Sequence, residues 1–294
     1  MFNTIDDYLN ALKDEMKDAD PALIQDAQAD AREHLTNALM ASREKDSEPS
    51  DADLLKKIVD EYGTPEETAS AYREVEKRTF PVLRQAVKPR SMFGRFFGVY
   101  ADPRAWGALL YMLIAFVTGV LYFTWAVTGV SLSITFLLFI FGFPLALLFL
   151  LSVRGLALIE GRLVEALLGI RMPRQPLFSH RDMKWLDRLK ALLKDKATWM
   201  MLIYMLAQFV LGTLYFIVLV TVLSVSLACM AAPLIQLFFN TPVFNWIDGP
   251  VYLPYWQLIL FSIGGFLVWT GFMHIARGVG QLHGRMAKWL LVSE

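Results

Sequence analysis

The side chains able to do chemistry are few and scattered. Four histidines, His34, His180, His274 and His283, stand without a carboxylate or cysteine at metal-ligand spacing, and no G-x-S-x-G, P-loop, H-E-x-x-H or dinucleotide fingerprint occurs. The single cysteine, Cys229, excludes an intrachain disulfide and a cysteine-cluster metal centre, and reads as a small buried apolar residue. Inside the long apolar stretches the larger polar side chains are Gln208, Gln257 and His274, with no Asp, Glu, Lys or Arg of the kind that marks ion or proton paths. Each reads as an interhelical hydrogen bond. The sequence therefore offers no catalytic, metal or cofactor residue, and an intramembrane enzyme would need a polar cluster that is not there. A non-enzymatic, cofactor-free protein is expected.

The elements that carry these residues divide into two unlike parts. The chain has 294 residues, 55% of them hydrophobic, with 28 bases balanced by 28 acids. Residues 1–78 hold 20 acids against 10 bases, net −10, and the remainder holds 8 against 18, net +10. An acidic soluble module thus precedes a basic, apolar one. No residue is charged from Ala105 to Val153 or from Ala197 to Ile247, and about 20 apolar residues suffice to cross a bilayer core of about 30 Å. These are membrane spans. The opening MFNTIDDYLNALKDE is acidic where a signal peptide is basic and then apolar.

The apolar part contains one pattern twice. Trp106, Tyr111, Met112, Leu113, Phe116, Gly119, Leu121, Tyr122 and Phe123 recur at a constant offset of 93 as Trp199, Tyr204, Met205, Leu206, Phe209, Gly212, Leu214, Tyr215 and Phe216, and Arg95, Asp102, Ser131 and Ser133 recur as Arg188, Asp195, Ser224 and Ser226. A closing R-G-x5-G-R motif, Arg154 to Arg162, returns at an offset of 123 as Arg277 to Arg285. Each copy is expected to be a span pair followed by an interfacial amphipathic helix, with stripes Leu156, Ile159, Leu163, Leu167 and Val279, Leu282, Met286, Leu290. The first pair, about Trp106–Val127 and Ser133–Val153, is joined by the turn TGVSLS. Trp106, Trp199, Arg154, Arg162, Arg277 and Arg285 are the expected membrane-interface residues.

The change of offset marks an insertion of about 30 residues near Leu223–Pro254, which holds no Lys or Arg. Hydropathy alone makes Val222–Phe239 a fifth span. The positive-inside rule favours four, because the basic clusters then share the cytoplasmic side, so Leu223–Pro254 is expected to be an extracytoplasmic elaboration, with a re-entrant course as one form of it, broken by Pro233, Asn240, Pro242, Pro250 and Pro254.

In the N-terminal part, one helical face is predicted over Thr4–Met16, a second helix from Pro21 to about Glu44, a third capped by Ser50 with Asp53, and a fourth opened by Thr64, Pro65 and Glu67 after the stop at Gly63. Gly63, Pro65, Glu66 and Glu67 are candidate partner contacts. The run Glu61-Tyr62-Gly63-Thr64-Pro65-Glu66-Glu67-Thr68-Ala69, closing with Tyr72-Arg73, resembles the HAAS domain, also called DUF1700. That resemblance implies a small cytoplasmic helical module joined to membrane segments and a partner such as a PadR-type regulator. Phe80–Tyr100 interleaves bases with aromatics, which suits lipid headgroups better than nucleic acid. Residues 92–291, with Asp102 and Trp106, Asp195 and Trp199, the span centres Tyr122-Phe123 and Tyr215-Phe216, and the Arg-Gly closing helices, resemble the sensor domain of bacterial and archaeal membrane proteins.

The fold class expected is all-α: a polytopic helical membrane protein with two parallel two-span repeats behind a soluble helical domain. The parts are 1–78, a HAAS-like domain; 79–104, a juxtamembrane linker; 105–170, repeat 1; 171–187, a cytoplasmic linker; and 188–294, repeat 2 with its insertion at about 223–254. The expected location is the cytoplasmic (inner) membrane, multi-pass with both termini inside, in contact with the lipid bilayer and able to form a homo-oligomer. The expected function is a sensor or signalling relay acting through a partner regulator, and the alternative is a scaffold or transport accessory subunit. The acidic domain is also expected to dock weakly, through exposed pairs, on bases between Arg84 and Arg188, Arg171 and Arg174 among them.

Overall fold

The computed structural model describes residues 2–45, 50–78, 91–136, 142–174, 185–247 and 249–292. The N-terminal helices are α1 (Ile5–Glu15), α2 (Pro21–Lys45), α3 (Asp51–Tyr62) and α4 (Pro65–Arg78), and their ends follow from local chemistry. Thr4 and Asp7 form a reciprocal capping box on α1, with N···O distances of 3.0 and 3.1 Å. Thr64 and Glu67 do the same for α4, at 2.9 and 3.3 Å. At α3 the Ser50 hydroxyl accepts the Asp53 N–H at 3.4 Å and donates to the Asp53 carboxylate at 2.8 Å. Gly63 ends α3 at φ +108°, a left-handed conformation that glycine adopts without strain. Tyr8 and Leu12 of α1 and Met16 at its C-cap pack with Ala27, Ala31 and Leu35 of α2 and with Leu55 and Ile58 of α3. The Tyr8 hydroxyl donates to the Gly63 carbonyl at 2.9 Å and meets Thr68 Oγ1 at 3.0 Å, which ties α1 to the α3–α4 corner.

Beyond α5 (Met92–Phe97) and a 3-10 turn at Gly98–Ala101, four helices among the described residues are long and apolar enough to cross a membrane: α6 (Pro103–Phe136), α7 (Gly142–Leu168), α9 (Lys196–Phe239) and α10 (Tyr255–Leu291). The short amphipathic α8 (Trp185–Lys194) precedes α9, and an antiparallel hairpin of β1 (Phe244–Trp246) and β2 (Gly249–Val251) joins α9 to α10. The protein is all-α and polytopic.

Three boundaries differ from the sequence reading. First, α6 runs through TGVSLS to Phe136, because Thr, Val and Ser are compatible with an apolar helix and no proline stops it. Second, the two closing motifs are not separate surface helices: α7 and α10 continue through Arg154–Leu168 and Arg277–Leu291 without a break. Their buried positions include Val153, Ala157, Glu160, Gly161, Val164 and Leu168 in α7 and the positions 123 residues on in α10, and of the expected apolar stripes only Leu290 is buried with them. Small residues on that face permit close helix approach, which outweighs the bulkier stripe. Third, Leu223–Pro254 is no re-entrant elaboration over its first half. α9 carries Pro233 inside it and ends at Phe239, since a proline near a helix end removes few backbone bonds.

The chain forms two compact units. The first holds Met1–Arg84, Trp125–Tyr204 and Arg285–Glu294, and the second holds Gln85–Thr124 and Met205–Gly284. Their boundaries cut through helices and do not follow the sequence repeat. Within the second unit α6 and α9 cross at Gly119 and Gly212. A Cβ on Gly119 would stand 2.7 Å from the Gln208 carbonyl oxygen, and one on Gly212 would stand 2.2 Å from that of Ala115. On either side of the crossing Phe116 stacks on Phe216 at 4.5 Å, and Phe123 on Phe209 at 4.6 Å. This register runs in opposite chain directions, so the two leading helices are antiparallel where they touch, not parallel. The glycine-phenylalanine face is self-complementary, and its periodicity tells which face is used without telling chain direction.

Candidate functional site

Ionisable groups that looked like interface residues turn inward and pair. In the first unit Arg154 of α7 forms a salt bridge with Asp195, the residue before α9, and donates to Thr198 Oγ1 at 3.0 Å, while the Tyr204 hydroxyl donates to Glu160 Oε1 at 2.9 Å. In the second unit Arg277 of α10 meets Asp102, before α6, at 2.9 Å, and the Tyr111 hydroxyl lies 2.7 Å from His283 Nε2. Asp102 and Asp195 are 93 residues apart, as are Tyr111 and Tyr204; Arg154 and Arg277 are 123 apart, as are Glu160 and His283. The same two contacts are thus made twice, each time between the leading helix of one copy and the closing helix of the other. Around His283 the second unit adds Tyr215 at 3.1 Å from Nδ1, and Gln208 donates to the Tyr111 hydroxyl at 3.2 Å. Every one of these side chains is held by another protein group, which favours packing specificity over ligand binding.

The contact that joins the N-terminal domain to the closing helices lies within the first unit. After α7, Arg171 donates to Asp26 of α2 at 2.8 Å, and the Arg174 backbone N–H also donates to Asp26. Both Arg171 and Asp26 side chains are 8% exposed. Glu76 of α4 and Glu165 of α7 stand 3.5 and 3.8 Å from Arg171. Just before α2, Asp20 receives Lys288 of α10 at 2.6 Å. The first turns of α2 therefore grip the end of α7 and the end of α10 together. The pocket beside this clamp is lined by Leu23, Asp26, Asp30, Tyr72, Glu76 and Arg171 among others. Tyr72 donates to Asp30 at 2.5 Å, and burial together with that bond raises its hydroxyl pKa. Burial likewise pushes Tyr62 up to about 12. The sequence reading expected exposed pairs here; the pair found is buried, so salt screens it little.

Of the expected partner contacts, Pro65 is buried and the Gly63 carbonyl is engaged by Tyr8, while Glu66 and Glu67 are exposed. The Glu67 carboxyl is held below its usual range by the bond from the Thr64 backbone N–H. Trp106 and Trp199 are half exposed, each indole donating at 2.9 Å to a carbonyl six residues back, Tyr100 and Leu193. Arg162 and Arg285 are exposed. His274 Nε2 donates to the Phe96 carbonyl, 2.8 Å away. His180 lies outside the described residues, as do Arg84, Lys88 and Arg90. Among the described residues no group of three or more His, Cys, Asp or Glu is placed to hold a metal.

Among the described residues, four apolar helices and inward-paired charges, attached to an N-terminal helical module, define a multi-pass helical membrane protein. The family model described as Putative sensor matches residues 111–291, more than half of the chain, and the chain belongs to that family. No curated protein and no solved structure matches it.

Proposed function

We propose that the protein is a non-enzymatic membrane sensor that relays a change in the disposition of its membrane helices to the N-terminal domain through α2. The observation that carries this reading is the clamp, in which Asp26 holds Arg171 at the end of α7 and Asp20 holds Lys288 at the end of α10. Any shift of one closing helix against the other must strain or open one of these pairs. The module that receives the shift resembles the HAAS domain, so its output is a cytoplasmic protein partner of the PadR-regulator kind. The pairing of Lys288 with Asp20 puts the N-terminal domain and the end of α10 on one side, which supports an inner-membrane location with both termini inside.

The test is hydrogen exchange of the α2 amides in full-length protein reconstituted with and without anionic lipid. A relay predicts protection of the first turns of α2 that falls when headgroup phosphates compete for Arg171 and Lys288. Protection unchanged by lipid composition and by a bound regulator would refute the relay and leave a constitutive scaffold or transport accessory.

A further inference from the structure

The cavity beside the clamp carries more negative charge than its own bases neutralise. It lies wholly within the first unit, between one stripe of α2, one stripe of α4 and the chain just after α7, and its volume is about 160 Å³. Asp26, Asp30 and Glu76 line it together with Arg171 and Arg174, and Glu165 stands 3.8 and 3.6 Å from those two arginines. Among the described residues that is four carboxylates to two guanidiniums, net −2. These are not solvated surface acids, for the side chains of Asp26, Glu165 and Glu76 are 8, 14 and 18% exposed. Charges held this far from water need a partner.

The pairs already formed show where the cation is missing. Arg171 is committed to Asp26 at 2.8 Å, and Arg174 stands beside Glu165 at 3.6 Å. Glu76 only shares Arg171, at 3.5 Å, and Asp30 is bonded by a neutral donor, the Tyr72 hydroxyl. Arg171 is itself incompletely used, since its buried Nε has no hydrogen-bond partner among the described residues. The uncompensated charge therefore sits on Asp30 and Glu76.

The walls say what kind of cation fits. Leu23, Val75 and the Tyr72 ring are apolar surface that suits a stem of methylenes behind a charged head. A bare metal ion is a poor match, because no group of three or more acids among the described residues is placed to hold one. A planar guanidinium can bond two carboxylates through its forked donors while lying against a tyrosine ring, which a compact ammonium does less well. The volume is close to the roughly 150 Å³ that admits a benzene ring, enough for a guanidinium and its neighbouring methylenes. Val75 and Arg174, 58 and 46% exposed, mark the side on which the cavity opens.

We propose that this cavity is the docking site for an arginine side chain presented by a protein partner, bound by Asp30 and Glu76 with its stem against Leu23, Tyr72 and Val75. Glu76, turned to the incoming guanidinium, no longer supports Arg171, so occupancy loosens the clamp. That last step rests on the relay reading; the docking itself does not.

The probe is a fluorescent pentapeptide of glycine and alanine around one central arginine, with twins that carry lysine or the uncharged isostere citrulline instead. Anisotropy is read on full-length protein in micelles of an uncharged detergent. The arginine peptide should bind at least tenfold more tightly than the citrulline peptide, and more tightly than the lysine peptide. Glu76→Gln and Asp30→Asn should each weaken it about tenfold, the contribution of one hydrogen bond to a charged group, whereas Asp60→Asn, at an exposed acid of α3, should change nothing. Val75→Arg supplies a guanidinium at the mouth and should abolish binding, and because Val75 is exposed it keeps the proposal testable where the other two variants fail to match the wild type by circular dichroism. Equal binding of the arginine and citrulline peptides, or a loss in Asp60→Asn as large as in Glu76→Gln, overturns the proposal. Displacement by spermidine at lower concentration than by unlabelled arginine peptide assigns the cavity to a small polyamine and overturns it too. Arginine-specific binding without faster α2 exchange upholds the docking and sinks its link to the relay; lipid-dependent α2 exchange without peptide binding sinks the docking alone.

Discussion

Asp26→Asn tests the clamp most directly. The substitution keeps the size of the side chain and one acceptor oxygen but leaves Arg171, 8% exposed, without its nearest carboxylate. Breaking a buried ion pair by removing one partner costs about 3–5 kcal/mol. Arg171 keeps Glu76 at 3.5 Å and Glu165 at 3.8 Å, so the lower end applies, about 3 kcal/mol, or a loss of roughly a hundredfold in the docked population. Asp26 lies outside the apolar cluster that holds α1 to α4 together, so the fold of the domain itself should survive. Hydrogen exchange of the α2 amides in full-length Asp26→Asn should approach that of the isolated 1–78 fragment, while the fragment carrying the same substitution melts like its parent. Asp20→Asn should do less, about 1 kcal/mol, because Lys288 and Asp20 are partly exposed. Unchanged α2 exchange in Asp26→Asn, or equal destabilisation of the isolated fragment, would refute the claim that this pair docks the domain.

Two further outcomes follow from packing and ionisation. Gly212→Ala puts a Cβ 2.2 Å from the Ala115 carbonyl oxygen, so thermal unfolding in detergent should show a loss of about 1–3 kcal/mol or more. Gly155→Ala, at a position with nothing within 4 Å, should be neutral or up to about 1 kcal/mol stabilising; equal behaviour of the two would refute the close crossing. The 1–78 fragment should melt cooperatively by circular dichroism and lose stability at alkaline pH. Tyr8, Tyr62 and Tyr72 all have hydroxyls raised above 10.0 in the folded state, chiefly by burial, Tyr62 to about 12. The unfolded chain therefore ionises first. Stability is full below pH 10.0 and falls as pH rises toward about 12, and a denaturation midpoint independent of pH in that window would show these rings to be solvated.

What the sequence makes legible here follows from which forces are local. Helix ends in the N-terminal domain were readable because capping satisfies backbone groups within three residues: Thr64 with Glu67, Gly63 as the stop and Pro21 as the start sit where the spacing puts them. The four apolar helices were readable because a bilayer imposes a length and a composition. Their inner boundaries were not. TGVSLS and Pro233 carry turn-forming residues, yet a surrounding apolar helix keeps its hydrogen bonds and overrides the local preference.

The site was legible in its parts and hidden in its pairing. Asp102, Asp195, Arg154 and Arg277 all stood out by their offsets, but their placement beside tryptophans suggested headgroups. The structure shows that each aspartate of one copy faces an arginine of the other, and a repeat in one dimension does not say whether its copies pair with themselves or exchange partners. Glu160 and His283 were harder still, since a glutamate and a histidine at equivalent positions look unrelated until each meets the same tyrosine, Tyr204 or Tyr111. That substitution separates the two copies chemically. One tyrosine donates to Glu160 while the other joins His283, Tyr215 and Gln208, so the two copies are bonded differently at equivalent positions. The proposed relay of one closing helix against the other needs such an inequality, and α2 holds the two unequally, through a buried arginine on one side and a partly exposed lysine on the other.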